Sequence, residues 1–141
     1  MKKILLIITF FSLSCISYAS DQYNTKLNNL FNQLKSTNSS IAAKEIETEI
    51  WEMWTTHPDE ERLTDLLAKG SYYMSQNQLS SAHNVFSKAI ELDPKWAEAW
   101  NKRATVLYLM GNYELSQNDI DEVLKIEKRH FGALSGQGMV Q

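Results

Sequence analysis

From residue 27 onward the apolar positions fall at helical spacing. Leu27, Leu30, Phe31 and Leu34 stand at i, i+3, i+4 and i+7, one face of an amphipathic helix. The run Ser36-Thr37-Asn38-Ser39-Ser40 breaks it, because these side chains bond their own backbone and favour turns and caps. Ala43, Ile46, Ile50, Met53 and Trp54 then form a second stripe, with Lys44, Glu45, Glu47, Glu49 and Glu52 on the opposite face and Pro58 beyond its end. The pattern predicts a leading helical hairpin over residues 27–57, preceded by a polar, flexible lead-in over residues 20–26. Trp51 and Trp54 read either as core or as an aromatic ligand site, and an indole pair on an apolar helix favours core.

Beyond Leu66 the pattern repeats at an offset of 34 residues. Leu66 recurs as Trp100 and Leu134, and Gly70 as Ala104 and Gly138. Tyr73 matches Leu107, Leu79 matches Tyr113, Phe86 matches Ile120, Ala89 matches Val123 and Leu92 matches Ile126. The turn residue Asn77 falls on Gly111. Two antiparallel helices of roughly 13 residues with tight turns use about 34 residues and leave one apolar face for the next pair to cover.

In Leu66, Leu67, Gly70, Tyr73, Ala82, Phe86, Ala89 and Pro94 the first unit resembles the tetratricopeptide repeat (TPR) family closely. The second unit is similar through Ala97-Glu98-Ala99-Trp100, Ala104, Gly111 and Tyr113. It departs at Arg103, where a leucine is usual, at Ser116 for alanine and at Lys128 for proline. The resemblance implies an all-α fold: antiparallel helical hairpins stacked as a short right-handed solenoid, with the divergent hairpin leading. The units are residues 63–96, 97–130 and a partial third over 131–141, so the layout resembles a small secreted bacterial TPR protein. Gly70 and Ala82 are expected where two helices press together, and Tyr73 and Phe86 between units. The aliphatic stem of Arg103 is expected over the packing surface with its charge outside.

The family's concave groove is lined by the first helix of each unit. Steps of i, i+4 and i+7 place Leu67, Ser71 and Met74 there, then Asn101, Thr105 and Tyr108 one unit later. This mixed, mostly uncharged surface suits an extended or helical peptide. The Lys/Asn set that clamps a terminal carboxylate in chaperone-binding relatives is absent, its places taken by Leu67, Ser71, Asn101 and Thr105. At the other end, Val123, Ile126, Leu134 and Met139 form an apolar face with no following hairpin, a possible surface for self-association.

The start of the chain changes the setting. Lys2 and Lys3 precede an apolar run from Ile4 to Leu13, and Ser17-Tyr18-Ala19 offers small residues before Ser20. This predicts a signal peptide over residues 1–19 and export, periplasmic or envelope-associated in a Gram-negative bacterium. The run is too short to leave a membrane span after cleavage. Cys15 as a lipid anchor is the less favoured alternative, because Ser12 stands where a large aliphatic residue is wanted. Cleavage leaves no cysteine, and 12 basic against 17 acidic residues, a net charge of −5.

A mildly acidic chain without a Lys/Arg cluster argues against nucleic acid as a partner. The three histidines, His57, His83 and His130, lie far apart without metal-ligand spacing, and His130 reads as a packed or capping residue. Asp59-Glu60-Glu61 reads as first-turn acids that complement a helix dipole. No nucleophile motif, phosphate loop or cofactor signature is present, so the expectation is a non-enzymatic, cofactor-free scaffold for a protein or peptide. The competing expectation is a structural module that associates through its last repeat.

Overall fold

Both apolar stripes of the leading segment and all the repeat stripes become helices. A computed structural model describes residues 21–140. It contains α1 (residues 21–36), α2 (Ser40–Thr55), α3 (Glu61–Ser75), α4 (Leu79–Leu92), α5 (Ala97–Leu109), α6 (Tyr113–Ile126) and α7 (Phe131–Val140), with no strand among the described residues. The predicted signal peptide, Cys15 and the cleavage point at Ser20 lie outside them. The chain divides into two units, residues 1–61 and 62–141.

In the first unit α1 pairs with α2. Leu27 and Leu30 on α1 are buried, as are Ile50 and Trp54 on α2. Trp54 meets Phe31 at 6.0 Å between ring centroids and Trp51 edge-on at 5.4 Å, so this indole is core. Ser39 caps α2, its hydroxyl accepting the Ala42 N–H. Residues 21–26 are helical, which corrects the expected flexible lead-in. The Tyr23 hydroxyl donates to the Met53 carbonyl across the hairpin, which ties this first turn to α2. His57, nearly buried, accepts the N–H groups of Asp59 and Glu60 on Nδ1, shaping the turn into α3. Of the three acidic residues there, only Glu61 stands inside the first turn of the helix.

In the second unit the helices form successive hairpins, and α5 packs against α4, α6 and α7. Phe86 explains the glycine at position 70. A Cβ on Gly70 would sit 2.7 and 2.8 Å from ring atoms of this fully buried phenylalanine, and closer still to a third. Ala82 and Ala89 are completely covered in the same core, against which Leu66, Tyr73 and Trp100 pack from its edge. A second core joins Ala97, Ala104, Ile120, Val123 and Ala133, and Trp100 borders both. The Trp100 indole N–H also donates to the carbonyl of Pro94 in the turn before α5.

The 34-residue period extends to the backbone. Asn77 and Gly111 both take left-handed φ, 56° and 79°. In each turn two hydrogen bonds close the preceding helix: Gln78 N–H to Tyr73 and Asn77 N–H to Met74, then Asn112 N–H to Leu107 and Gly111 N–H to Tyr108. These are Schellman closures, which need one residue at positive φ. The turns between units match as well. Asp93 accepts the Lys95 N–H, and Glu127 accepts the Arg129 N–H. The carboxylate of Glu127 thus closes the α6–α7 turn where the usual proline is replaced by Lys128.

Two further expectations are corrected. Leu67 is not a groove residue: it is 3% exposed within the first core. It shares a helical face with Leu63 and Gly70, four and three residues away, and that face turns toward α4. The Arg103 charge is not outside either. Its guanidinium donates to both Asp119 oxygens at 2.7 and 2.8 Å and to the Ser87 hydroxyl at 3.1 Å, and it lies 5.0 Å from the Trp100 ring centroid. One side chain therefore ties together α4, α5 and α6.

Candidate protein-binding groove

Helices α5 and α7 are the first helices of successive repeats, and α6 lies against both. Their approach depends on small residues. Gly136 brings α7 so near α6 that an added Cβ would stand 3.2 Å from the Ile120 Cδ1. Ser116, at the family's alanine position, fits by donating its buried hydroxyl to the Ala104 carbonyl at 2.8 Å. Between the helices remains a cavity of about 60 Å³. Asn101, Thr105 and Tyr108 line it from α5, and Gly132, Gly136, Met139 and Val140 from α7.

The cavity thus brings together three of the six groove positions expected from spacing. Thr105 is exposed and its hydroxyl donates to the Asn101 carbonyl. Tyr108 is half-buried, its ring tilted against Tyr113 at 5.3 Å. Ser71 and Met74 lie on α3, both half-buried, and Met74 packs against the first core. Neither lines this cavity.

Beneath the cavity lies a polar cluster that spacing did not single out. Glu98 is fully buried on α5, and His130 is fully buried just before α7. His130 Nε2 stands 3.0 Å from Glu98 Oε2, and Asn101 Nδ2 donates to the same oxygen at 3.0 Å. The Lys102 ammonium lies 3.3 Å from Oε1. His130 Nδ1 accepts the Ala133 N–H at 3.3 Å, which caps α7. Glu98 and His130 are 32 residues apart; the packed or capping role expected of His130 is what its burial and its bond to Ala133 show, but nothing beyond the repeat register points to its pairing with Glu98.

The same junction holds two shifted titrating groups. Burial pushes the Glu127 carboxyl up, but hydrogen bonds from the Arg129 guanidinium and backbone, with the Arg129 charge, hold it net below the usual glutamate value. The bond to Glu127 raises Arg129 in turn, partly opposed by burial.

At the far end Val123 is fully buried, so it does not belong to the expected open face; Ala133 covers it. Ile126, Leu134 and Met139 remain 42%, 47% and 62% exposed. In the first unit, an open cleft of about 1050 Å³ is lined by both signs of charge, Lys26 against Glu49 and Glu52. Among the described residues, no helix is long and apolar enough to cross a membrane.

Helical hairpins repeating at 34 residues, with left-handed turns and small–large packing in register, define an all-α repeat solenoid. The family profile described as TPR repeat matches residues 70–111, and the one described as tetratricopeptide repeat matches residues 97–130. A TPR repeat-containing protein of Rhizobium etli is 37% identical over 122 residues, 86% of this chain and 59% of that protein. A tetratricopeptide repeat and J domain-containing co-chaperone of Cryptococcus neoformans is 38% identical over 61 residues, 43% of this chain and 10% of the co-chaperone. An uncharacterized protein of Methanocaldococcus jannaschii is 33% identical over 60 residues, 43% of this chain and 70% of that protein. The chain therefore spans 59% of the Rhizobium relative's length and a tenth of the co-chaperone's.

The chain belongs to the tetratricopeptide repeat family. Repeats of this family generally mediate protein–protein interaction and are typically non-catalytic scaffolds.

Proposed function

We propose that this protein is an exported scaffold that binds a protein or peptide partner through the groove between α5 and α7. The observation that carries this reading is the partition of the first-helix residues. Gly70 and Trp100 are taken up by packing, whereas Asn101, Thr105 and Tyr108 line a cavity with uncharged polar groups, with Ala104 between them in its wall. Such a surface suits a peptide held by a few hydrogen bonds and one small apolar contact. The test is affinity capture from an envelope fraction, comparing the wild type with Thr105→Glu. Thr105 is exposed, so the new charge obstructs the groove without disturbing the core. A partner retained equally by both proteins would refute groove binding.

Export rests on Lys2, Lys3, the apolar run to Leu13 and the small residues before Ser20. Amino-terminal sequencing of the protein from its host should return Ser20 in an envelope or periplasmic fraction. Met1 in a cytoplasmic fraction would contradict it.

A second reading has one specific observation in its favour: Ile126, Leu134 and Met139 expose apolar surface at the last repeat, which suits association with a second copy. Sedimentation across concentration decides it. A dimer that dissociates on Leu134→Gln/Met139→Gln supports it, and a monomer at all concentrations excludes it.

A further inference from the structure

The buried carboxylate under the groove determines which polar atom the groove can offer. Glu98 Oε2 faces two nitrogens, Asn101 Nδ2 and His130 Nε2, both at 3.0 Å. An ionised carboxylate only accepts, so both partners must present N–H. His130 can do so because its Nδ1 is committed as acceptor to the Ala133 N–H, which leaves the proton on Nε2. The Asn101 amide has no such freedom. Its nitrogen is committed to Glu98, and no donor among the described residues meets its oxygen. Asn101 lines the cavity and Glu98 does not.

We infer that Glu98 and His130 are positioning residues that lock the Asn101 amide with its oxygen toward the groove, so that the groove selects a backbone N–H of an extended peptide segment and rejects a free terminal carboxylate. The inference rests on the groove reading proposed above. An incoming carboxylate would set lone pairs against the Asn101 oxygen, with no cation among the residues lining the cavity to compensate. A backbone N–H satisfies that oxygen. The volume of about 60 Å³, roughly that of two water molecules, admits a small side chain beside it.

The test uses two matched arrays of random nonapeptides, one ending in carboxamide and one in free carboxylate, probed with the labelled protein. Groove ligands are those whose binding is lost with Thr105→Glu. They should bind as carboxamides at least as tightly as free acids. N-methylation at one backbone nitrogen should weaken binding about tenfold in the wild type, as for a lost hydrogen bond that strands its acceptor, but less than about twofold in Asn101→Ala. In Glu98→Leu, which removes the acceptor of the Asn101 amide nitrogen and so lets Asn101 turn over, free-carboxylate peptides should gain on carboxamides. A purely structural role for Glu98 would not move that ratio. If Glu98→Leu does not fold, the Asn101→Ala comparison decides alone. Groove ligands that need the free carboxylate, or an N-methyl penalty independent of Asn101, would overturn the inference. If no ligand is sensitive to Thr105→Glu, the groove reading itself fails and takes the inference with it.

Discussion

Replacing Gly70 by alanine sets two effects of opposite sign against each other. Gly70 lies inside α3 with ordinary helical backbone, so propensity alone predicts that alanine stabilises by about 1 kcal/mol. The new Cβ, however, stands within 2.8 Å of three Phe86 ring atoms, far inside van der Waals contact. Phe86 is fully buried between Ala82 and Ala89 and has no free volume to retreat into. Overpacking of this kind costs about 1–3 kcal/mol and more where nothing yields. The clash wins, with a net loss of about 2 kcal/mol and a fall in melting temperature of about 8 °C. Urea and thermal denaturation followed by circular dichroism measure it, with Gly138→Ala as control. Gly138 is also helical, but its added Cβ meets nothing within 4 Å, so that variant should be stabilised by about 0.5–1 kcal/mol. Gly70→Ala/Phe86→Leu should recover part of the loss, because the smaller side chain makes room. If Gly70→Ala proves as stable as the wild type or more so, the packing described between α3 and α4 is wrong.

Arg103→Met should cost about 2–4 kcal/mol by stranding the buried Asp119 carboxylate, and Arg103→Met/Asp119→Leu should regain more than half in urea midpoints. The Glu127 carboxyl titrates below its ordinary value in the fold, so its stabilisation is present above the unfolded pKa and is lost as pH falls through the folded one. The wild type should therefore melt above Glu127→Gln at pH 7, with the gap narrowing as the pH falls below the ordinary glutamate range; a gap that stays constant on acidification would contradict the pairing with Arg129. His130→Leu removes both the α7 cap and a donor to Glu98, so amide hydrogen exchange in residues 131–140 should speed up more than in α3. Equal acceleration in both helices would show that the effect is not local.

The repeat architecture was legible because packing imposes it. A small residue must face a large one at a fixed distance along the chain, so Gly70, Ala82, Phe86 and Ala89 carry their roles in their spacing. Asn77 and Gly111 are likewise legible, since few residues tolerate left-handed φ. The polar contacts were not. Arg103 meets Asp119 across 16 residues and Glu98 meets His130 across 32, and each pairing depends on how two helices are rotated against one another. Spacing alone cannot separate an arginine that snorkels outward from one that finds a buried carboxylate. Leu67 shows the same limit: a one-residue rotation of α3 decides between groove and core. The first turn of α1 was missed because Tyr23 is held by the Met53 carbonyl, a partner 30 residues away that no local pattern announces.

Site-specific photo-crosslinking tests the central claim most directly. A benzophenone side chain placed at Thr105, inside the groove, should yield a discrete protein adduct in the native host. The same group at Lys125, on the exposed side of α6 with two-thirds of its side chain in solvent, should not. Adducts of equal yield from both positions, or from Lys125 alone, would contradict a partner held in the groove between α5 and α7.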